Sequence, residues 1–342
     1  VSVEQSELVS VIVPVYNAAK YLGRALQSVI CQSHRNIEIL IVLDGPTDDS
    51  VEVAKSYHDS RIRIFEREHQ GAAAARNFGI KNAKGENVAF LDADDFWDSS
   101  KLEKHLKHFK RNPSIGVSFS CSAFVNEAGE SFGLYQTPKL KNIANGYQCY
   151  CNPIGNGSTA VVRKSILDEF VKSKSSEENR HQYFRENLPQ AHDYLFWLEL
   201  SEATNCKFEG IPEILTYYRI HSESLSANIK KQYRYHLRAE RYFSTINAKL
   251  INLVESKRRA HLHYYLARTA LLQNNYTLAV GYASRGLKRY PSSFGLVPAS
   301  IISLGCLSRI LPKTLFKNLK SLCFLIFGCY QRSIILRLAG II

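Results

Sequence analysis

At 342 residues the chain is long enough for one large domain with an appendage, or for two of ordinary size. With 45% hydrophobic and 22% charged residues it must bury a substantial core, which excludes intrinsic disorder for the whole. The net charge of +13 is unevenly spread: residues 1–255 carry 31 Lys and Arg against 31 Asp and Glu, while residues 256–342 carry 13 Lys and Arg and no acid. A charge-balanced body with a cationic, apolar-rich tail argues against a nucleic-acid reader, whose basic residues would line the functional domain. It argues for a body held at an anionic membrane surface. The eight cysteines lack zinc-site spacing and read as reduced thiols. Residues 1–8 have neither the basic start nor the apolar run of a signal peptide, and the reduced thiols predict a cytosolic protein.

In chain order, residues 8–16 (LVSVIVPVY), 37–44 (IEILIVLD), 61–67 (RIRIFER) and 87–92 (NVAFLD) read as strands whose near-continuous apolar character suits a buried parallel sheet. Helix-length segments separate them, including the Ala-rich stretch GAAAARNFGIKNA. This alternation predicts an α/β fold with a mostly parallel central sheet, in which ligands sit beyond the carboxyl ends of the strands. Three strand ends carry polar residues: Tyr16 and Asn17, Asp44 and Gly45, and the group Asp92, Asp94, Asp95 and Asp98. A further apolar run follows at 115–125, then TAVVRKSIL, and residues 172–190 read as a polar surface loop before the helix DYLFWLELSEA. Residues 231–290 predict a helical region whose HLHYYLARTALLQNNYTLAVGYASRGLKRYPSS resembles one tetratricopeptide unit; a single such unit must dock elsewhere to bury its apolar face. In the tail, residues 291–342, Leu311, Leu315, Leu319, Leu322 and Ile326 share one helical face while Lys313, Lys317 and Lys320 share the other. That is the pattern of an interfacial rather than a spanning helix. A helix packed on the protein with a solvated lysine face is the alternative.

Four acids within seven residues repel one another, so a positive partner is expected among them. A calcium loop fails because Trp97 stands where its Gly belongs. Solvated acids capping the next helix are the plain alternative, a role Asp98 and Ser99 could fill alone. The other reading is a divalent ion, Mn²⁺ or Mg²⁺, held by one or two carboxylates and the phosphates of a substrate.

Seven collinear stretches fit that second reading together: VSVIVPVYNAAKYLGRALQSVICQS, EILIVLDGPTDDS, GAAAARNFGI, GENVAFLDADDFW, GSTAVVRKSIL, AHDYLFWLEL and YRIHSESLS. Across about two thirds of the chain they resemble family 2 glycosyltransferases, inverting enzymes of the GT-A fold. The resemblance implies a catalytic domain over residues 1–230 that takes a nucleotide-diphosphate sugar donor and a glycan or lipid-linked acceptor. It implies donor contacts from Pro14, Tyr16, Asn17, Asp44, Arg76, Asp92 and Asp94, metal ligands among Asp94, Asp95 and His221, and Asp193 as the base that deprotonates the acceptor hydroxyl. Plainer roles exist for several of these: a turn residue for Asp44, an ion-paired Arg76, a structural His221, and a helix N-cap for Asp193. Departures from the family pattern are Leu43, Pro46 and His192, the last standing where a Glu often precedes the base. Envelope or surface polysaccharide synthesis at the cytoplasmic membrane face is the implied setting. A non-catalytic sugar-nucleotide or membrane-binding protein of the same fold is the alternative function.

Overall fold

The computed structural model describes residues 6–174, 182–221, 223–224, 228–291, 303–304, 307–308 and 313–338. The chain starts with β1 (Val9–Val15), α1 (Ala19–Ile30), β2 (Ile37–Asp44), α2 (Ser50–Lys55), β3 (Ile62–Arg67), α3 (Ala72–Asn82) and β4 (Asn87–Phe90). Every residue of β1, β2 and β4 is buried, as expected of strands covered on both faces, while β3 is largely half-exposed at the sheet edge. On α1 the residues Tyr21, Leu22, Ala25, Leu26 and Val29 form the buried stripe that faces this sheet. Helix α3 lies closer: a Cβ at Gly79 would come within 2.4 Å of Ile12 on β1, so only glycine permits this approach.

After β4 come β5 (Phe96–Trp97), α4 (Lys101–Arg111), β6 (Ile115–Val125), β7 (Ser131–Gln136), α5 (Asn145–Tyr150), a 3-10 turn at Gly157–Thr159, β8 (Val161–Arg163), α6 (Lys164–Lys172), α7 (His192–Ala203) and β9 (Lys207–Arg219). The strands make one sheet in the order β3-β2-β1-β4-β8-β6-β9-β5, with β7 paired to β6. The first four are mutually parallel, as the sequence predicts; β8 runs antiparallel to β4 and β6, and β5 antiparallel to β9. The chain winds outward from β1 to β3 and then crosses back to β4, so the switch point of the sheet falls at the carboxyl ends of β1 and β4. β9 runs parallel to β6 and ends beside β5, which carries residues 219–221 to the same edge.

Residues 182–190 differ from the expected polar surface loop: Tyr183, Phe184, Leu188 and Gln190 are buried. Asn77 on α3 explains this. Its Oδ1 accepts from the backbone N–H of Phe184 (2.7 Å) and Tyr183 (3.1 Å), and its Nδ2 donates to the Phe184 carbonyl and the Glu186 carboxylate, both at 2.8 Å. One buried amide side chain thereby replaces the backbone pairing that a loop lacks.

The helical region comprises α8 (Ile229–Ser244), α9 (Ala248–Leu253), α10 (Glu255–Leu272) and α11 (Tyr276–Arg289). Helices α10 and α11 form a hairpin with its own core of Leu266, Ala267, Ala270, Leu271, Ala279 and Ala283. α10 packs on α5 and α8, and the Glu240–Arg258 ion pair ties α8 to α10. A C-terminal helix, Lys313–Leu338, packs on β7 and β9. Gln331 hydrogen-bonds both backbone groups of Tyr135 (3.0 and 2.5 Å), and Ile335 enters the main core. Of the expected apolar stripe, Leu315 is exposed and Leu319 half-buried; Leu311 and the remaining side chains of the pattern lie outside the described residues. No helix among the described residues is long and apolar enough to cross a membrane.

Asn77→Ala leaves two buried N–H groups and a carbonyl without partners, so it is expected to lower unfolding free energy by about 2–4 kcal/mol in urea titrations.

Candidate active site

A cleft of about 1400 Å³ opens at the switch point and runs beneath the helical region. Pro14, Tyr16 and Asn17 border it at the end of β1, Arg76 on α3, Asp92 and Asp94 after β4, Asp193 on α7, and His221 after β9. These candidates, spread over two hundred residues of sequence, thus share one cavity.

Asn17 adopts a left-handed conformation (φ 47°), and its Oδ1 accepts from the Thr47 backbone N–H at 2.7 Å, joining the ends of β1 and β2. Asp44 lies one layer behind the cleft, 1% exposed. Its carboxylate accepts from the backbone N–H groups of Gln70 (3.1 Å) and Gly71 (2.7 Å), and His69 Nδ1 sits 2.9 Å from Oδ2. The groups that reach the cleft at this point are Tyr16 and His69, stacked with centroids 4.0 Å apart. Gly45 makes that possible: at φ +63° a Cβ there would stand 2.7 Å from the His69 nitrogen.

The acidic group is held by the protein's own cations. Asp92 pairs with the Arg76 guanidinium, whose other terminal nitrogen lies 2.6 Å from His192 Nε2. Arg219 donates from Nε to the Asp94 carbonyl (2.7 Å) and from its backbone N–H to Asp95 Oδ1 (2.9 Å). Ser158 completes the frame, its hydroxyl lying 2.6 Å from Asp95 Oδ2 and 3.0 Å from the Asp92 backbone nitrogen. The positive partner expected from sequence is therefore in part Arg76 and Arg219. Burial pushes the Asp92 carboxyl up, against the pull of Arg76, and the like charges of Asp94 and Asp193 add to the rise. Burial, with the charges of Asp94 and Asp92, drives Asp95 well above the usual carboxylate range.

Asp95 corrects the sequence expectation. It is fully buried with both oxygens bonded inward, so it braces the turn and does not face the cleft. Asp94 does face it, with Oδ2 2.9 Å from His221 Nε2. Two ligands at right angles on a small divalent ion stand about 3 Å apart when each bond is about 2.1 Å, so this pair fits adjacent positions of one shell. No three His, Cys, Asp or Glu side chains among the described residues converge to hold an ion. The remaining positions would fall to substrate oxygens and water.

Asp193 sits in the first turn of α7, after Ala191 in the left-handed region (φ 58°), and makes no capping bond. Among the described residues its carboxylate has no hydrogen bond or ion pair, and it lines the cleft. Burial and the Arg76 charge, against the pull of Asp193, lower His192 to about 4, so its neutral Nε2 can accept from Arg76. Burial likewise lowers His236, on α8, to about 4, against the opposing charge of Asp193. Sequence reasoning missed Arg219, Ser158 and His236. The first two stand inside quoted motifs, YRIHSESLS and GSTAVVRKSIL, whereas nothing marks His236 before the fold brings α8 over Asp193. Trp97 and Trp197 are both buried core residues.

Comparison with known proteins bears on family and fold. The model of "Glycosyl transferase family 2" matches residues 10–171. The E. coli protein WfaP, a UDP-Glc:alpha-D-GlcNAc-diphosphoundecaprenol beta-1,3-glucosyltransferase, is 30% identical over 228 residues, 66% of this chain and 82% of WfaP. An uncharacterized glycosyltransferase of Haemophilus influenzae is 39% identical, over 65% of this chain and 82% of its own length. A counterpart in Rickettsia conorii is 46% identical over 62% of this chain, but the chain spans only 33% of that longer relative. The fold matches a Pyrobaculum calidifontis mannosyltransferase solved with GDP-Man and Mn²⁺ (TM-score 0.55, 18% identity, 96% of this chain and 88% of that one). It also matches S. aureus TarS solved with UDP-GlcNAc (TM-score 0.54, 18% identity, 96% and 92%).

His192 contributes stability that is complete above its unfolded pKa of about 6.5 and is lost as pH falls toward about 4. Thermal melts from pH 7.5 to 4.5 should therefore show a shallower acid decline for His192→Gln than for the unmutated protein, the difference reaching at most about 3 kcal/mol. Fold, cleft and relatives converge: the chain belongs to the family 2 glycosyltransferases.

Proposed function

We propose that the protein transfers a sugar from a nucleotide-diphosphate donor to a hydroxyl of a lipid-linked glycan, with inversion at the transferred carbon. The observation that carries the reading is Asp193, a carboxylate with no hydrogen bond or ion pair among the described residues, which shares the cleft with Asp92, Asp94 and His221. A base of that kind deprotonates the acceptor hydroxyl as it attacks, and a single displacement inverts the centre. The donor binds across the switch point. Tyr16 and His69 receive the base, while Asn17, Arg76 and Asp92 border the ribose and diphosphate side. Arg76, fixed by Asp92 and His192, holds positive charge against the departing diphosphate. Asp94 and His221 would hold Mn²⁺ or Mg²⁺, which when bound supplies further charge stabilisation for the leaving group. The Mn²⁺ in the mannosyltransferase and the UDP-GlcNAc in TarS support donor and metal of this kind. The name of WfaP supports an acceptor sugar carried on a lipid diphosphate.

Asp193→Asn should lower transfer by about 10²-fold or more while leaving UDP affinity unchanged, read by UDP release and by titration calorimetry. Unchanged turnover would remove Asp193 as base. Trials of UDP-, GDP- and dTDP-sugars with Mn²⁺ or Mg²⁺ identify the donor.

A peripheral position at the cytoplasmic membrane face belongs to the same proposal. The acid-free stretch 256–342 and the exposed Leu315 support it. The packed end of the C-terminal helix, around Gln331 and Ile335, would stay on the protein while its lysine-bearing beginning meets the headgroups. Replacing Lys313, Lys317 and Lys320 together by Gln should weaken cosedimentation with phosphatidylserine vesicles by about tenfold or more, at about 1 kcal/mol per lysine, and leave activity on a water-soluble acceptor intact.

A further inference from the structure

One face of α10 borders the cleft beyond the catalytic carboxylate. His261, Tyr264, Tyr265 and Arg268 recur at the spacing of a single helical face, and all four line the cavity. The other face carries Leu266, Ala267, Ala270 and Leu271, which fill the core shared with α11. Tyr265 stands between two charges. Its phenol is raised by burial, pulled down by Arg268 and pushed up again by Asp193. Arg268 follows Tyr265 by three residues, about 4.5 Å further along the helix axis, and the Asp193 charge that acts on Tyr265 is not among those acting on Arg268.

Arg268 differs from its neighbours in lacking a counter-charge. Arg258 and Arg259, on the same helix, both pair with Glu240, whereas no carboxylate pairs with Arg268 among the described residues. Its guanidinium carbon lies 5.5 Å from the Phe124 ring centroid and 5.9 Å from that of Tyr265, and burial lowers its pKa from the ordinary arginine value. A half-buried guanidinium that lines the cleft beside aromatic rings, with no carboxylate paired to it among the described residues, is suited to a bidentate oxyanion such as phosphate. Phe327, Tyr330 and Ile334 of the C-terminal helix line the same cleft with apolar surface.

We propose that Arg268 forms an acceptor-side phosphate subsite, which binds the phosphate ester joining the acceptor sugar to its carrier, with Phe327 and Ile334 receiving the first carbons of that carrier. The assignment rests on the transferase reading and adds to it the part of the acceptor that the helical region reads. Aromatic, cationic and apolar groups of the cleft would then serve sugar, phosphate and lipid in turn.

The test is titration calorimetry on the full chain with the donor site saturated by UDP. The probes are GlcNAc diphosphate carrying a decyl chain, decyl GlcNAc without phosphate, and inorganic diphosphate. The unmutated protein should bind the first at least tenfold more tightly than the other two. Arg268→Gln should remove about tenfold of that affinity, Arg268→Lys should restore part of it, and UDP affinity should stay unchanged as the sign of an intact fold. Equal binding of the two decyl probes, an equal loss for both in Arg268→Gln, or no binding of the diphosphate probe overturns the subsite. Tightest binding of inorganic diphosphate would make it a free-anion site and overturn the carrier assignment. UDP release from a sugar donor by the unmutated protein decides the transferase reading separately.

Discussion

Three carboxylates within four residues at the end of β4 are the constraint around which this site is built. Left alone, Asp92, Asp94 and Asp95 would force the strand end open or protonate. The structure answers with Arg76 from α3, Arg219 from the end of β9 and the Ser158 hydroxyl from the turn before β8. Each belongs to a different part of the chain, so the acids act as a clasp on which separate elements close. The clasp also sorts the three by role. The most buried, Asp95, becomes a brace with raised pKa, and the two nearer the surface remain for a ligand.

That arrangement depends on a second pairing, between Arg76 and a neutral histidine. A protonated His192 would repel the guanidinium; desolvation keeps it neutral and its Nε2 available as an acceptor. The residue before Asp193 is His192, and the structure uses it to orient Arg76. Asn77, one residue further along α3, fixes the 183–186 segment whose Phe184 ring lies 5.7 Å from the Arg76 guanidinium. Adjacent residues on one helix thus hold the charge and the wall behind it.

The helical region is joined to the chemistry as well as to the fold. α8 brings His236 and α10 brings Tyr265 to the surroundings of Asp193, while the opposite face of α10 is consumed by α11. A helix pair too small to bury itself therefore ends as the roof of a cleft. The C-terminal helix behaves in the same way at its far end, where Gln331 takes both backbone groups of Tyr135 on β7. That contact holds residues 331–335 of the expected tail, beyond the stretch that carries the lysine pattern, on the protein.

By itself the sequence determined the parallel half of the sheet, because fully apolar runs such as residues 37–44 can be satisfied only when buried on both faces. It also marked candidate residues that the fold brings to one cleft, since Asn17, Arg76, Asp92, Asp94, Asp193 and His221 stand in local motifs at strand and helix ends. Tertiary structure alone decided which acid faces the cleft, why Asp44 lies behind Tyr16 and His69, and which residues counter the charge. Adjacent acids are equivalent in a string of letters. What distinguishes Asp94 from Asp95 is burial and hydrogen-bond supply, and both come from β9 and the Ser158 turn, more than sixty residues away in sequence.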